Sequence, residues 1–172
     1  MTTASKMNSR VENEKELVLE RVFEAPRELV FEMFSKCEHL ENWWGPKGWE
    51  LPVCRLDFRP GGEWHYCMKC VDENQGDFFG MESWGKQIFH EIEVPVKIAY
   101  TDYFSDAEGN INRELPATTA TVEFIDLGGR TKVVSRSQYA SADALKTVLD
   151  MGMLQGVTET WDRLEELLRE TR

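Results

Sequence analysis

The chain has 172 residues, of which 41% are hydrophobic and 30% charged, and its formal net charge is −11. One domain of this length buries a sizeable core without disulfides or a metal, and the acidic balance without a basic stripe excludes nucleic acid as a partner. There is no run of about 20 apolar residues to span a membrane, and residues 1–16 lack the apolar region of a secretory signal. The sequence therefore predicts a cytoplasmic protein.

The N-terminal segment is polar and has no periodicity, which predicts a disordered tail over residues 1–14 and a folded domain over residues 15–172. The run Leu17–Phe23 is rich in Leu and Val and predicts the first strand. Two short helices are then predicted, Leu29–Phe34 and Cys37–Asn42. Gly and Pro between Trp43 and Gly48 predict a loop after them.

Six further strands are predicted from alternating or β-rich runs separated by turn residues. They are Trp49–Phe58, Glu63–Val71, Ser83–Glu91, Lys97–Phe104, Thr118–Ile125 and Thr131–Tyr139. The second of these strands alternates clearly, with Trp64, Tyr66 and Met68 on one face and His65 on the other. We therefore expect the histidine to be exposed to solvent.

The last segment predicts a long amphipathic helix, with Ser141 as its N-cap and one apolar stripe that includes Leu154, Val157 and Trp161. Gly152 and Gly156 fall inside this helix, where they either permit a bend or leave room beneath it. The order of elements predicts an α+β fold in which a wide antiparallel sheet packs against the C-terminal helix.

Several short segments occur along the chain in the same order as in the SRPBCC superfamily (START-like, birch-pollen-allergen-like), which the sequence resembles. Within it, they are similar to the subfamily named after the activator of the ninety-kilodalton heat-shock-protein ATPase. The likeness runs from about residue 15 to residue 170. The segments that carry it are Leu17–Glu24, Ala25–Phe31, Glu38–Leu40, Trp43–Pro46, Asp57–Gly62 and Trp161–Leu164.

The resemblance implies a helix-grip fold: a curved antiparallel sheet of six to seven strands wrapped around a long C-terminal helix, with two short helices after the first strand. It also implies a deep cavity, since members of the superfamily bind lipids, sterols, polyketides and other apolar molecules. The first hypothesis is therefore an apolar or aromatic small molecule as ligand, without a cofactor. The alternatives are a metal-independent cyclase-like or hydrolase-like enzyme and a module that binds a heat-shock chaperone. The frequent dimers of the family add a homodimer to these expectations.

Aromatic and adaptable side chains on the presumed inner faces are the candidates for a ligand site. Each one alone is more typical of core packing, and a cavity beneath the helix would give them a shared role. Trp43 and Trp44 either close the mouth of the cavity or clamp the short helices onto the sheet, and the clamp is the expectation for Trp43. The predicted ligand-binding residues are Trp44, Trp64, Tyr66, Met68, Trp84, Tyr100, Phe104, Met153, Val157 and Trp161.

Few other residues indicate chemistry. We expect Asp102 to face water at a strand end, although burial among aromatic rings would raise its pKa and suit it to acid–base catalysis. The four cysteines, Cys37, Cys54, Cys67 and Cys70, are expected to be thiols in a reducing cytosol. The last two form a C-x-x-C pair within a strand, and no second ligand pair follows it, so no metal site is predicted. The three histidines match no metal-binding spacing.

Overall fold

A curved antiparallel sheet forms one layer of the molecule, and the C-terminal helices pack across its concave face. The computed structural model describes residues 6–171. Within that range no helix is long and apolar enough to cross a membrane. The elements are β1 Asn8–Glu12, β2 Glu16–Phe23, α1 Arg27–Ser35, α2 Cys37–Leu40, β3 Trp49–Leu56, β4 Glu63–Cys70, a short 3₁₀ segment Glu73–Phe78, β5 Glu82–Glu93, β6 Lys97–Phe104, β7 Thr118–Asp126, β8 Thr131–Gln138, α3 Ala142–Asp150 and α4 Met153–Thr171.

The eight strands lie in the order β1-β2-β8-β7-β6-β5-β4-β3, and every neighbouring pair is antiparallel. Strand β2 is therefore next to the last strand, β8, while β3 lies at the edge of the sheet opposite β1. Helices α1 and α2 connect β2 to β3. This arrangement confirms the predicted α+β helix-grip class, with one strand more than the sequence indicated.

Helix α1 is fixed to the sheet by aromatic packing. The rings of Phe31 and Phe34 both lie 5.1 Å from the ring of Phe124 on β7, in edge-to-face contact. Trp43 is fully buried beside them, and its indole Nε1 donates to the carbonyl oxygen of Met33 at 3.0 Å. Trp43 thus packs the loop after α2 against helix α1, while its predicted role as a clamp onto the sheet stays a prediction.

The first strand was missed by the sequence prediction of a disordered tail over residues 1–14. Residues 8–12 pair with β2, while residues 1–5 lie outside the described part of the chain. The strand NSRVE is almost wholly exposed and has no apolar alternation, so no hydrophobic pattern could reveal it. Backbone pairing holds it, together with ion pairs from Arg10 to Glu12 and Glu20 (2.8 and 3.1 Å).

The predicted single C-terminal helix is in fact two helices. Ser141 caps the first one, since its Oγ accepts a hydrogen bond from the backbone N–H of Ala144 at 3.0 Å. The helical path then breaks at Gly152, whose φ of +84° is strained for any residue with a side chain. Of the two roles proposed for this glycine, the bend is the one that the structure shows.

Two of the four cysteines were wrongly expected to be thiols. Cys37 at the start of α2 and Cys54 on β3 form a disulfide. Cys67 and Cys70 are free and buried. Sequence spacing could not identify the bonded pair, because only the packing of α2 against β3 brings the two sulfurs together.

Helix α4 is tied to the sheet by a buried arginine. Arg21 on β2 is 4% exposed, and its guanidinium pairs with Asp162 at 2.6 Å and with Glu165, which is 5% exposed. Farther along the sheet, Arg163 Nη1 donates to the carbonyl oxygens of Gly45 and Trp49, at 2.8 and 2.9 Å. The helix is therefore attached at two separate places by charged hydrogen bonds.

We expect the substitution Arg21→Leu to lower the free energy of unfolding by about 3 kcal/mol, because it leaves the carboxylate of Glu165 buried without its main partner. The double substitution Arg21→Leu with Glu165→Leu should recover most of the loss. Urea denaturation measures both. Arg10→Leu is the matched control on the exposed edge strand and should cost less than about 1 kcal/mol. Equal losses for Arg10→Leu and Arg21→Leu would contradict this account of α4.

Candidate functional site

A partly open cavity of about 390 Å³ lies between the concave face of the sheet, helix α4 and the loop after α2. A volume of this size is within the range of small-molecule sites. All ten residues predicted from the sequence border it. They are Trp44, Trp64, Tyr66, Met68, Trp84, Tyr100, Phe104, Met153, Val157 and Trp161.

Strand β4 supplies the aromatic wall because its alternation directs every second side chain inward. Tyr66 pairs across the sheet with Gly85 on β5. A Cβ atom at Gly85 would lie 2.4 Å from the Oη of Tyr66, so only glycine leaves room for the phenol ring to lie against the strand. The sequence feature that indicates this close contact is Gly85 itself, because a glycine inside a strand often marks the close approach of another group.

Three aromatic rings form a continuous cluster on this wall. Trp64 lies 4.4 Å from Tyr66 and 4.8 Å from Trp44, measured between ring centroids. Trp44 in turn packs edge-to-face against the buried Trp43 at 5.4 Å. The indole N–H of Trp44 is buried and has no hydrogen-bond partner in the part of the chain that the structure describes. In the loop after α2, Trp44 therefore borders the cavity and also packs against the buried Trp43 in the core.

Trp84 differs from the other nine predicted residues in its orientation. It borders the cavity, yet it pairs with Cys67 and its ring packs on His65 at 5.3 Å, on the opposite face of the sheet. His65 was expected to be exposed, but it is 7% exposed and its Nε2 donates to the carbonyl oxygen of Asp106 at 3.0 Å. The loop after β6 covers this face, which strand alternation alone could not indicate.

Helix α4 forms the roof of the cavity without filling it. Met153, Val157 and Trp161 face the interior, and the ring of Trp161 packs on Phe23 at 5.9 Å. A Cβ atom added at Gly156, which also borders the cavity, would meet no atom within 4 Å. The absence of a side chain at this position therefore contributes directly to the open volume.

A carboxyl group lies inside the cavity, where the sequence led us to expect a group facing water. Asp102 on β6 accepts hydrogen bonds from Tyr66 Oη at 3.0 and 3.1 Å. Burial raises the pKa of Asp102 to about 7, and the hydrogen bond from Tyr66 offsets only part of that rise. Burial and the neighbouring carboxylate raise the pKa of Tyr66 well above its usual range, so the phenol remains the donor.

The remaining polar groups of the wall are uncharged. Gln87 lies directly across from Asp102 on β5 and is 4% exposed. The serines and threonines that border the cavity are Ser83, Thr118, Ser135, Ser137 and Thr160. Most of these share the inward parity of their strands, but serine and threonine give no signal for a cavity by themselves. Over residues 6–171, no group of three or more His, Cys, Asp or Glu is placed to hold a metal ion.

Comparison with protein families gives one match that covers most of the chain. The family model described as Activator of Hsp90 ATPase homolog 1-like protein matches residues 24–169. A comparison with curated proteins gave no match.

Solved structures from several bacteria are similar along nearly their whole length. A crystal structure of a protein from Mycobacterium smegmatis is 28% identical, with a TM-score of 0.82, and the match covers 94% of this chain and 95% of that one. An Arthrobacter aurescens protein solved by NMR is 27% identical with a TM-score of 0.84, covering 95% and 91%. A Nitrosomonas europaea crystal structure is 26% identical with a TM-score of 0.77, covering 94% and 98%.

The carboxyl group in the cavity makes stability depend on pH in a defined direction. The pKa of Asp102 rises from 3.8 to about 7 on folding, so the native state binds the extra proton between these values and loses stability as pH rises through them. Asp102→Asn removes this dependence. The difference in Tm, variant minus wild type, should therefore be more positive at pH 8 than at pH 5, as measured by calorimetry.

Asp106→Asn is the matched control for this measurement. Hydrogen bonds from Asn110 and the loop backbone lower the pKa of the exposed Asp106 carboxyl below 3.8. It is ionised at both pH 5 and pH 8, so its Tm difference should be the same at the two pH values. A pH-independent difference for Asp102→Asn as well would show that the Asp102 carboxyl titrates normally.

Proposed function

The chain belongs to the Activator of Hsp90 ATPase homolog 1-like family, and from this premise we propose that it binds a hydrophobic or aromatic small molecule in its internal cavity. The observation that carries the proposal is the open volume beneath α4, about 390 Å³, bordered mainly by aromatic and aliphatic side chains. Apolar concavities with a few polar groups are typical of small-molecule sites. Lipids and polyketide-like compounds are the ligand classes that match this lining.

The walls of the cavity favour flat, apolar ligands over polar ones. Trp44, Trp64 and Tyr66 present ring edges and faces within 6.0 Å of one another. Such a cluster offers stacking and edge-to-face contacts worth about 0.5–1.5 kcal/mol each beyond area burial. Met68 and Met153 add unbranched, polarisable side chains that adapt to different ligand shapes.

A thermal-shift screen against fatty acids, sterols, flavonoids and polyketides tests the proposal, with Gly156→Leu as the blocking variant. Leucine favours the helix over glycine and would fill open space at a position with no neighbour within 4 Å. A ligand at 100 times its Kd should stabilise the wild type by about 2.7 kcal/mol and leave Gly156→Leu unchanged.

Gln155→Leu is the matched control, because it adds the same side chain to an exposed position of the same helix. It should retain the ligand response of the wild type. If no apolar class raises the Tm of the wild type, or if Gly156→Leu responds as strongly as Gln155→Leu, binding in this cavity is excluded.

A metal-independent enzyme is the second candidate function. Such an enzyme needs an ionisable pair inside the cavity, and the hydrogen bond from Tyr66 to Asp102 supplies a donor and an acceptor with a pKa of about 7 on the carboxyl group. Mass spectrometry of a bound ligand after incubation distinguishes the two functions. Conversion by the wild type and not by Asp102→Asn supports catalysis, whereas recovery of unchanged ligand supports binding alone.

A chaperone-interacting module is the third candidate, and the family name alone carries it. Stimulation of the ATPase of a heat-shock chaperone by the purified protein would support it, and absence of both stimulation and binding would exclude it. The cytoplasmic location and the homodimer stay predictions. The Cys37–Cys54 disulfide bears on the first of these, since structural disulfides are uncommon in a reducing cytosol.

A further inference from the structure

The cavity contains a carboxyl group without a countercharge. Of the described residues that border the cavity, Asp102 alone carries a charge when it is ionised, and no Lys, Arg or His is among them. Arg163 on α4 directs its Nη1 to the carbonyl oxygens of Gly45 and Trp49 rather than to Asp102. A carboxylate in apolar surroundings either pairs with a positive group or takes up a proton, so the ionised form of Asp102 lacks a positive partner among the described residues of this site.

The groups around the carboxyl do not supply that charge. Tyr66 on β4 donates one hydroxyl hydrogen to Asp102, and Gln87 lies across from it on β5. Burial, together with the nearby carboxylate, raises the pKa of the phenols of Tyr100 on β6 and Tyr139 just after β8. All four neighbours are neutral at physiological pH.

The aromatic walls, like the carboxylate, favour a positively charged ligand group. The faces of Trp and Tyr rings carry negative potential and attract cations that lie within about 6 Å of the ring centroid. Trp44, Trp64 and Tyr66 form one cluster on the wall that also supplies the donor to Asp102. The whole chain, with a net charge of −11, adds a field that attracts cations.

We infer that the ligand of this cavity is a hydrophobic amine, with its protonated nitrogen against Asp102 and its apolar body against the tryptophans and α4. The inference rests on the proposed binding function and specifies its ligand class. An ammonium group would donate to the carboxylate while Tyr66 keeps its own hydrogen bond to the second oxygen. Charge-assisted hydrogen bonds of this kind are roughly twice as strong as neutral ones.

Three naphthalene probes of matched size test the inference: 2-(aminomethyl)naphthalene, 2-(hydroxymethyl)naphthalene and 2-ethylnaphthalene. Titration calorimetry at pH 8 should show that the wild type binds the amine at least about tenfold more tightly than the ethyl compound, a difference of about 1.4 kcal/mol. Asp102→Asn keeps the shape of the side chain without its charge. It should abolish the preference while changing the affinity for the ethyl compound less than about twofold.

A pH series on the wild type tests the same point without a variant. The amine stays protonated between pH 5 and pH 8, whereas Asp102, with a pKa of about 7 in the empty cavity, becomes neutral as pH falls. The preference for the amine should therefore shrink towards unity at pH 5. This result does not depend on the folding of Asp102→Asn.

The outcomes separate this inference from the proposed function. Equal affinity for the amine and the ethyl compound, or tighter binding of the alcohol than of the amine, overturns the inference and leaves apolar binding intact. Binding of none of the probes, together with a negative thermal-shift screen, overturns both. A preference for the amine that persists in Asp102→Asn would assign recognition to the aromatic rings and would also contradict the role of the carboxylate.

Discussion

The attachment of α4 to the sheet determines whether this molecule has an interior volume. The helix is held by the pairing of Arg21 with Asp162 and Glu165, and separately by the hydrogen bonds from Arg163 to the loop after α2. Trp161 adds an apolar contact between α4 and Phe23 on β2. Because charged hydrogen bonds fix the helix at two places, the side chains beneath it need not fill the space completely. The cavity therefore depends on the anchors of the helix as much as on its lining.

The chemistry of the cavity follows from an acidic group that has no basic partner in a mainly apolar wall. Its wall is mainly apolar and aromatic, which favours burial of an apolar body. One carboxyl group and one phenol interrupt that wall, and the pair is joined by a hydrogen bond that satisfies only part of the carboxyl group. Within the described residues no basic side chain borders the same space. A ligand that brought its own donor or positive charge would complete the set.

Sequence patterns predicted the framework well. The strand limits of β3 to β8 agree with alternation and turn residues to within two residues, and Ser141 was correctly identified as an N-cap. The ten candidate residues all border one cavity. For Trp64, Tyr66 and Met68 this follows from parity, because alternate residues of one strand share a face. Trp84 shows the limit of that reasoning: its parity relative to Tyr66 depends on the register between β4 and β5, and register cannot be obtained from either strand alone.

The sequence by itself determined the layers of the fold, the alternation of side chains within single strands and the membership of one family. These depend on local periodicity and on short segments, which are properties of neighbouring residues. Tertiary structure alone decided the pairing of Cys37 with Cys54, the burial of His65 beneath a distant loop and the position of Asp102 inside the cavity. Each of these results from contacts between residues far apart in the chain, so the electrostatics and the volume of the site emerge only when the sheet curves beneath α4.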